Sequence, residues 1–126
     1  MIIYNAIKTP DGTIVRSKNR HDYNCYTDAN GFEYCVDGGS EYLRRAFTPD
    51  APPYEDISVD SEDVSHEVAR TLAVWGTYGV DGKQPLKYVT PAEMEDDHIR
   101  AILNIRTNPD FAKILQNELT YRENKE

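Results

Sequence analysis

Short β-branched runs open the chain. Ile2-Ile3-Tyr4-Asn5-Ala6-Ile7 and Thr13-Ile14-Val15-Arg16 stand either side of Pro10-Asp11-Gly12, the pattern of strand, tight turn and strand. A second hairpin is expected around Asn30-Gly31, which suits a three-residue loop ending with Gly31 at positive φ. That register sets Asp28 opposite Phe32, Tyr26 opposite Tyr34 and Cys25 opposite Cys35, with the tyrosines on one face and the cysteines on the other. Gly38-Gly39 ends the second strand, and Glu41-Tyr42-Leu43-Arg44-Arg45 follows as a short turn or strand. Further along, Val68, Arg70, Leu72 and Val74 alternate with Ala69, Thr71, Ala73 and Trp75. This favours a strand that returns through a turn-rich loop to Leu86-Lys87-Tyr88-Val89-Thr90, with a helix over residues 63–74 as the alternative.

The last third changes to helical spacing. Thr90, Pro91 and Glu93 form a capping-box signal, and Asp96 can restart a helix that carries Ile99, Ile102 and Leu103 on one face. Asn108-Pro109-Asp110 caps a second helix, with Phe111, Ile114, Leu115 and Leu119 at helical spacing. The expected class is α+β: an N-terminal antiparallel β-sheet built from hairpins, followed by two C-terminal α-helices. At 126 residues one domain is expected, with residues 1–48 and 64–90 in the sheet, 49–63 as an acidic connector and 91–126 helical.

Charge narrows the partners. A net charge of −8 argues against wrapping nucleic acid, whose phosphates need a basic face, but leaves DNA mimicry open. Six of the carboxylates lie in Asp50–Asp63, beside two prolines, and read as a solvated stretch. The mean hydropathy of −0.70 is polar, no apolar run is long enough to span a bilayer, and MIIYNAIK lacks a signal-peptide pattern; a cytoplasm is the expected compartment, the host's for a phage-like protein. Nine tyrosines suit half-buried sheets and binding surfaces, since the ring is apolar and its tip is not.

Catalytic signatures are missing: GxSxG, a Walker loop, HExxH and GxGxxG do not occur. His21-Asp22 and Asp97-His98 invite comparison with metal-dependent hydrolases, but three histidines are too few for such a centre. Cys25 and Cys35 read as reduced, packed thiols. A disulfide is disfavoured in a reducing compartment, and zinc needs about four ligands where only His21 lies near. A non-enzymatic binding protein without metal or cofactor is expected. Arginines gather where chain direction changes, at Arg16, Arg20, Arg44-Arg45 and Arg106. Arg106 and Asn108, at a helix start, suit a phosphate or pyrophosphate. Trp75 and Tyr78, beside glycines, can stack on a base, and Arg20 and His21 can border the same pocket. The bland alternatives are that Arg106 pairs with Asp110 or Glu95 and that Trp75 is core.

The string RHDYNCYTDANGFEYCVDGGSEYLRR, with VWGTYGVDGKQPLKYV, MEDDHIRAILN and NELTYR, resembles a family of small phage proteins that share HD(Y/F), VDGGxxYxRR and DHIxAIL elements. Size, element order and arginine positions are also similar to the phage Thoeris anti-defence proteins of the first described type. That resemblance implies an oligomeric sponge in the host cytoplasm, one that sequesters glycocyclic ADP-ribose, and in some members cyclic oligonucleotides, without cleaving it. The ligand would sit between protomers, an aromatic ring on its adenine and arginines on its pyrophosphate. The positions that fit are Arg20, Trp75 or Tyr78, and Arg106. Two rivals are an acidic inhibitor of a host nuclease, of anti-CRISPR or anti-restriction type, and a hydrolase of the same signal.

Overall fold

In the computed structural model, which describes all residues except Val80, Arg106 and Glu126, the architecture is α+β, with antiparallel strands leading into helices. The chain gathers into two units, residues 1–63 and 64–126.

The first unit is built from hairpins. β1 (Ile2–Lys8) pairs antiparallel with β2 (Ile14–Ser17), and β3 (Asn24–Thr27) with β4 (Glu33–Asp37). The second hairpin has the register expected from Asn30-Gly31: Tyr26 faces Tyr34, Cys25 faces Cys35, and Gly31 takes a φ of 82°. β5 (Arg44–Phe47) then adds to β4, making a three-stranded sheet. Side chains of β1, β2 and β4 meet in a core of Ile7, Val15, Tyr34 and Val36, with Tyr26, Phe32, Ala51 and Tyr54 packed against it. Tyr34 shows how tyrosine serves such a small core. Its ring is fully buried, burial pushes its phenol pKa up, and its hydroxyl donates to the Pro52 carbonyl at 2.7 Å.

The acidic stretch differs from a bare solvated connector. β6 (Glu55–Asp56) and β7 (Val59–Asp60) both pair with β1, covering the edge that β2 leaves open. Two of its carboxylates are tied in place: Asp56 accepts from the backbone N–H of Ser58 and meets Arg45 at 3.3 Å, while Asp60 meets the N-terminal ammonium at 3.3 Å.

Cys25 and Cys35 are joined in a disulfide, not held as free thiols. Directly opposed positions bring their Cα atoms to 4.1 Å, close enough that the sulfurs meet across the strand pair.

In the second unit, residues 66–72 form a helix, α1 (His66–Leu72), and not the strand that the alternation of this stretch favours. The alternation of Val68, Arg70, Leu72 and Val74 is misleading because Val68 is 40% exposed. The buried positions are Ala69 and Ala73, four residues apart. β8 (Trp75–Thr77) and β9 (Lys87–Val89) form the expected hairpin, shortened to three residues per strand. Thr90 and Glu93 complete the capping box around a single 3-10 turn, Pro91–Glu93. α2 (Asp96–Leu103) buries Ile99 and Ile102, and α3 (Pro109–Asn124) buries Phe111, Ile114, Leu115 and Glu118. Among the described residues no helix is long and apolar enough to cross a membrane.

Candidate functional site

Two polar networks account for much of the chemistry that stands out in the sequence. In the first unit, Asn5 is 2% exposed on β1. Its amide nitrogen donates to the carbonyls of Asp37, Gly39 and Tyr42 at 2.9, 3.0 and 3.2 Å, and its amide oxygen accepts from Arg45 at 2.7 Å. Arg45 continues to Ser58 Oγ at 2.8 Å, and Ser17 Oγ accepts from the Gly39 N–H at 3.0 Å. The Val36-Asp37-Gly38-Gly39 turn is thereby clipped onto β1 and β2. A side chain at Gly38 would run into the Tyr42 carbonyl and one at Gly39 into the Asn19 backbone, so both positions need glycine. The VDGG element and Arg45 therefore hold the fold, while the Arg44 side chain stays exposed.

The second network lies inside the helical unit. Glu118 has no exposed surface, yet both its oxygens are bonded: Arg70 donates through Nε at 2.7 Å and Nη2 at 2.9 Å, Arg122 through Nε at 2.8 Å, and His66 Nε2 lies at 2.9 Å. Burial alone would raise this carboxyl's pKa. The hydrogen bonds from Arg70, Arg122 and His66 outweigh it and hold the group at about 2. A carboxylate so acidic, and closed from solvent, is a poor general base. Arg122 reaches further, to Asp96 at 2.6 Å and to the carbonyls of Pro91 and Met94 at 3.0 and 2.6 Å, tying the capping turn and α2 to α3. Sequence reasoning missed this cluster. Its signals were a glutamate in the apolar stripe of α3 and two four-residue spacings, His66 to Arg70 and Glu118 to Arg122.

The nominated ligand residues divide accordingly. Trp75 is half-buried and stacks on Phe111, ring centres 5.4 Å apart and planes 20° apart, so one of its two faces is covered. Asn108 accepts from the backbone N–H groups of Asp110 and Phe111 at 2.8 and 3.3 Å, as the N-cap of α3. Arg20 and His21 lie on the surface of the first unit, Arg20 in a loose pair with Glu41 at 3.4 Å, both side chains more than half exposed. Tyr78 is 55% exposed in the hairpin loop. Arg106 lies outside the described residues.

Among the described residues the second unit carries concave surfaces at the start of α2 and at the β8–β9 hairpin. The first, about 600 Å³, is bordered by Glu95, Asp96, Asp97, Arg100 and Arg122, with Ala92 and Met94. Three carboxylates and an Arg122 already committed to Glu118 and Asp96 suit it poorly to an anion. The second, about 420 Å³, is formed at the β8–β9 hairpin by Thr77, Gly79, Gln84, Pro85, Leu86 and Lys87. Tyr78 lies between two of these residues, and its carbonyl accepts from the Gln84 N–H at 2.7 Å, which narrows the mouth of the loop. Compared with known proteins, the chain matches no family model, no curated protein and no solved structure.

Proposed function

We propose that this chain is a phage anti-defence protein that sequesters a small anionic nucleotide signal of the glycocyclic ADP-ribose type, acting as an oligomer in the host cytoplasm without cleaving its ligand. The observation that carries the reading is the β8–β9 hairpin, where an exposed Tyr78 adjoins a groove with apolar walls, Pro85 and Leu86, and one cation, Lys87. A ring on which a base can stack, an apolar wall and an ammonium for phosphate are the minimum a nucleotide needs. With Trp75 engaged by Phe111, the stacking role falls to Tyr78.

Stacking on an aromatic ring contributes about 1–3 kcal/mol per base. Tyr78→Ala is therefore expected to weaken binding of glycocyclic ADP-ribose roughly ten- to a hundredfold in titration calorimetry. Arg100→Ala, in the acidic groove, serves as the control and should leave affinity unchanged. Equal affinities for the Tyr78 variant and the wild type would remove the hairpin from the reading.

The acidic stretch favours a second reading, inhibition of a host nuclease. Glu55 and Asp56 are exposed yet fixed on a paired strand, as a mimic of regularly spaced phosphates requires. Neutralising Glu55, Glu62 and Asp63 would abolish such inhibition and leave nucleotide binding intact. Asp56 and Asp60 are left alone because they bond Arg45 and the N-terminus.

A further inference from the structure

The pair Cys25 and Cys35 has a third neighbour. Glu33 lies two residues before Cys35 on β4, hence on the same face, and its Oε1 is 3.7 Å from the Cys35 sulfur. One ligand atom from each of Cys25, Glu33 and Cys35 lies within 4.8 Å of the others, the group among the described residues with the spacing of a metal site. We infer that these three side chains form a redox-gated site for a thiolate-seeking divalent metal of the zinc class, closed while the disulfide stands and opened by its reduction.

The argument rests on strand geometry. Antiparallel pairing fixes Cys25 opposite Cys35 whatever their oxidation state, and β4 is the central strand of its sheet, so the three positions keep their places when the sulfurs part. Zn–S bonds of about 2.3 Å make a tetrahedral edge of roughly 3.8 Å, which two thiolates on directly opposed residues can span by side-chain rotation. Two thiolates and a carboxylate suit a borderline-soft cation better than calcium or magnesium. Cys35 is buried, whereas Cys25 and Glu33 are exposed, so the ion has a path in and a fourth position open to water.

The chemistry balances simply. A dithiol reductant is oxidised to its own disulfide, or a phosphine with one water to its oxide, as the protein's sulfur–sulfur bond takes up two electrons and two protons and becomes two thiols. Metal binding then releases both protons to solvent as the thiolates coordinate. Because the same two sulfurs serve both states, disulfide and metal exclude one another.

Cobalt(II) reports the site directly. The protein is reduced, freed of reductant under argon and titrated with Co²⁺. One equivalent should bind, with a thiolate-to-cobalt charge-transfer band and the visible bands of a tetrahedral ion, and Zn²⁺ should displace it. Cys25→Ser should abolish the bands. Glu33→Gln keeps both cysteines, so its fold can be checked in the oxidised form, and once reduced it should bind about tenfold more weakly or worse. Oxidised wild type should bind none. The inference is overturned by a reduced protein that gives no bands, by bands that survive in the oxidised form, or by equal affinity in Glu33→Gln. A reduced chain that loses its β-sheet dichroism and does not recover it with zinc overturns it as well.

Discussion

Glu118→Gln should lower the stability of the helical unit by about 3 kcal/mol, because it removes the charge but leaves Arg70, Arg122 and His66 gathered around the vacated position. Both arginine side chains are about a quarter exposed, which keeps the expected cost at the lower end for a broken buried pair. For a unit of this size the melting temperature falls by roughly 15 °C. The lone Trp75, stacked on Phe111 within the second unit, is the probe. Glu118 also sets an acid limit. Its carboxyl is held at about 2 in the folded state against 4.5 ordinarily, so the folded form binds fewer protons there than the unfolded form. That contribution is complete above about pH 4.5 and drains away as pH falls towards 2. Wild type should therefore lose stability steeply through this window, and Glu118→Gln should lose less. Parallel acid profiles for the two proteins would show that the cluster does not hold the helices.

Asn5→Ala should cost the first unit about 3 kcal/mol, since three backbone carbonyls lose one shared donor and Arg45 loses an acceptor in a buried setting. Asn5→Asp discriminates between causes. It offers Arg45 a full charge, yet turns an oxygen towards the carbonyls of Asp37, Gly39 and Tyr42, and it should rescue little of the loss. Denaturant unfolding followed by far-ultraviolet dichroism measures both variants. An Asn5→Asp protein as stable as wild type would mean that the Arg45 contact, rather than the three-carbonyl clip, holds the turn in place.

What the sequence discloses here follows from which forces act locally. The β3–β4 register is readable because a glycine-ended turn fixes the offset and cross-strand pairs follow from it. The caps at Thr90 and Asn108 are readable because each bonds backbone within a turn of itself. α1 is not, since its inward face carries alanines and the polar pair His66 and Arg70, and a reading by hydropathy assigns such residues outward. Glu118 makes that face possible from a distant point in the chain. For the disulfide, register places the cysteines opposite each other while a reducing compartment favours free thiols; the structure follows the register. Of the site residues, Asn108 caps α3 through local bonds, whereas the stacking of Trp75 on Phe111 joins residues distant in the chain and has no local signal. Tyr78 keeps its exposed ring.

Titration calorimetry of wild-type protein with glycocyclic ADP-ribose, followed by heat denaturation of the complex and chromatography of the released nucleotide, tests the proposed sequestration most directly. The account predicts a saturable heat of binding and a ligand recovered chemically unchanged. A nucleotide recovered as a hydrolysis product would make the protein an enzyme, and no heat of binding would contradict the nucleotide reading altogether.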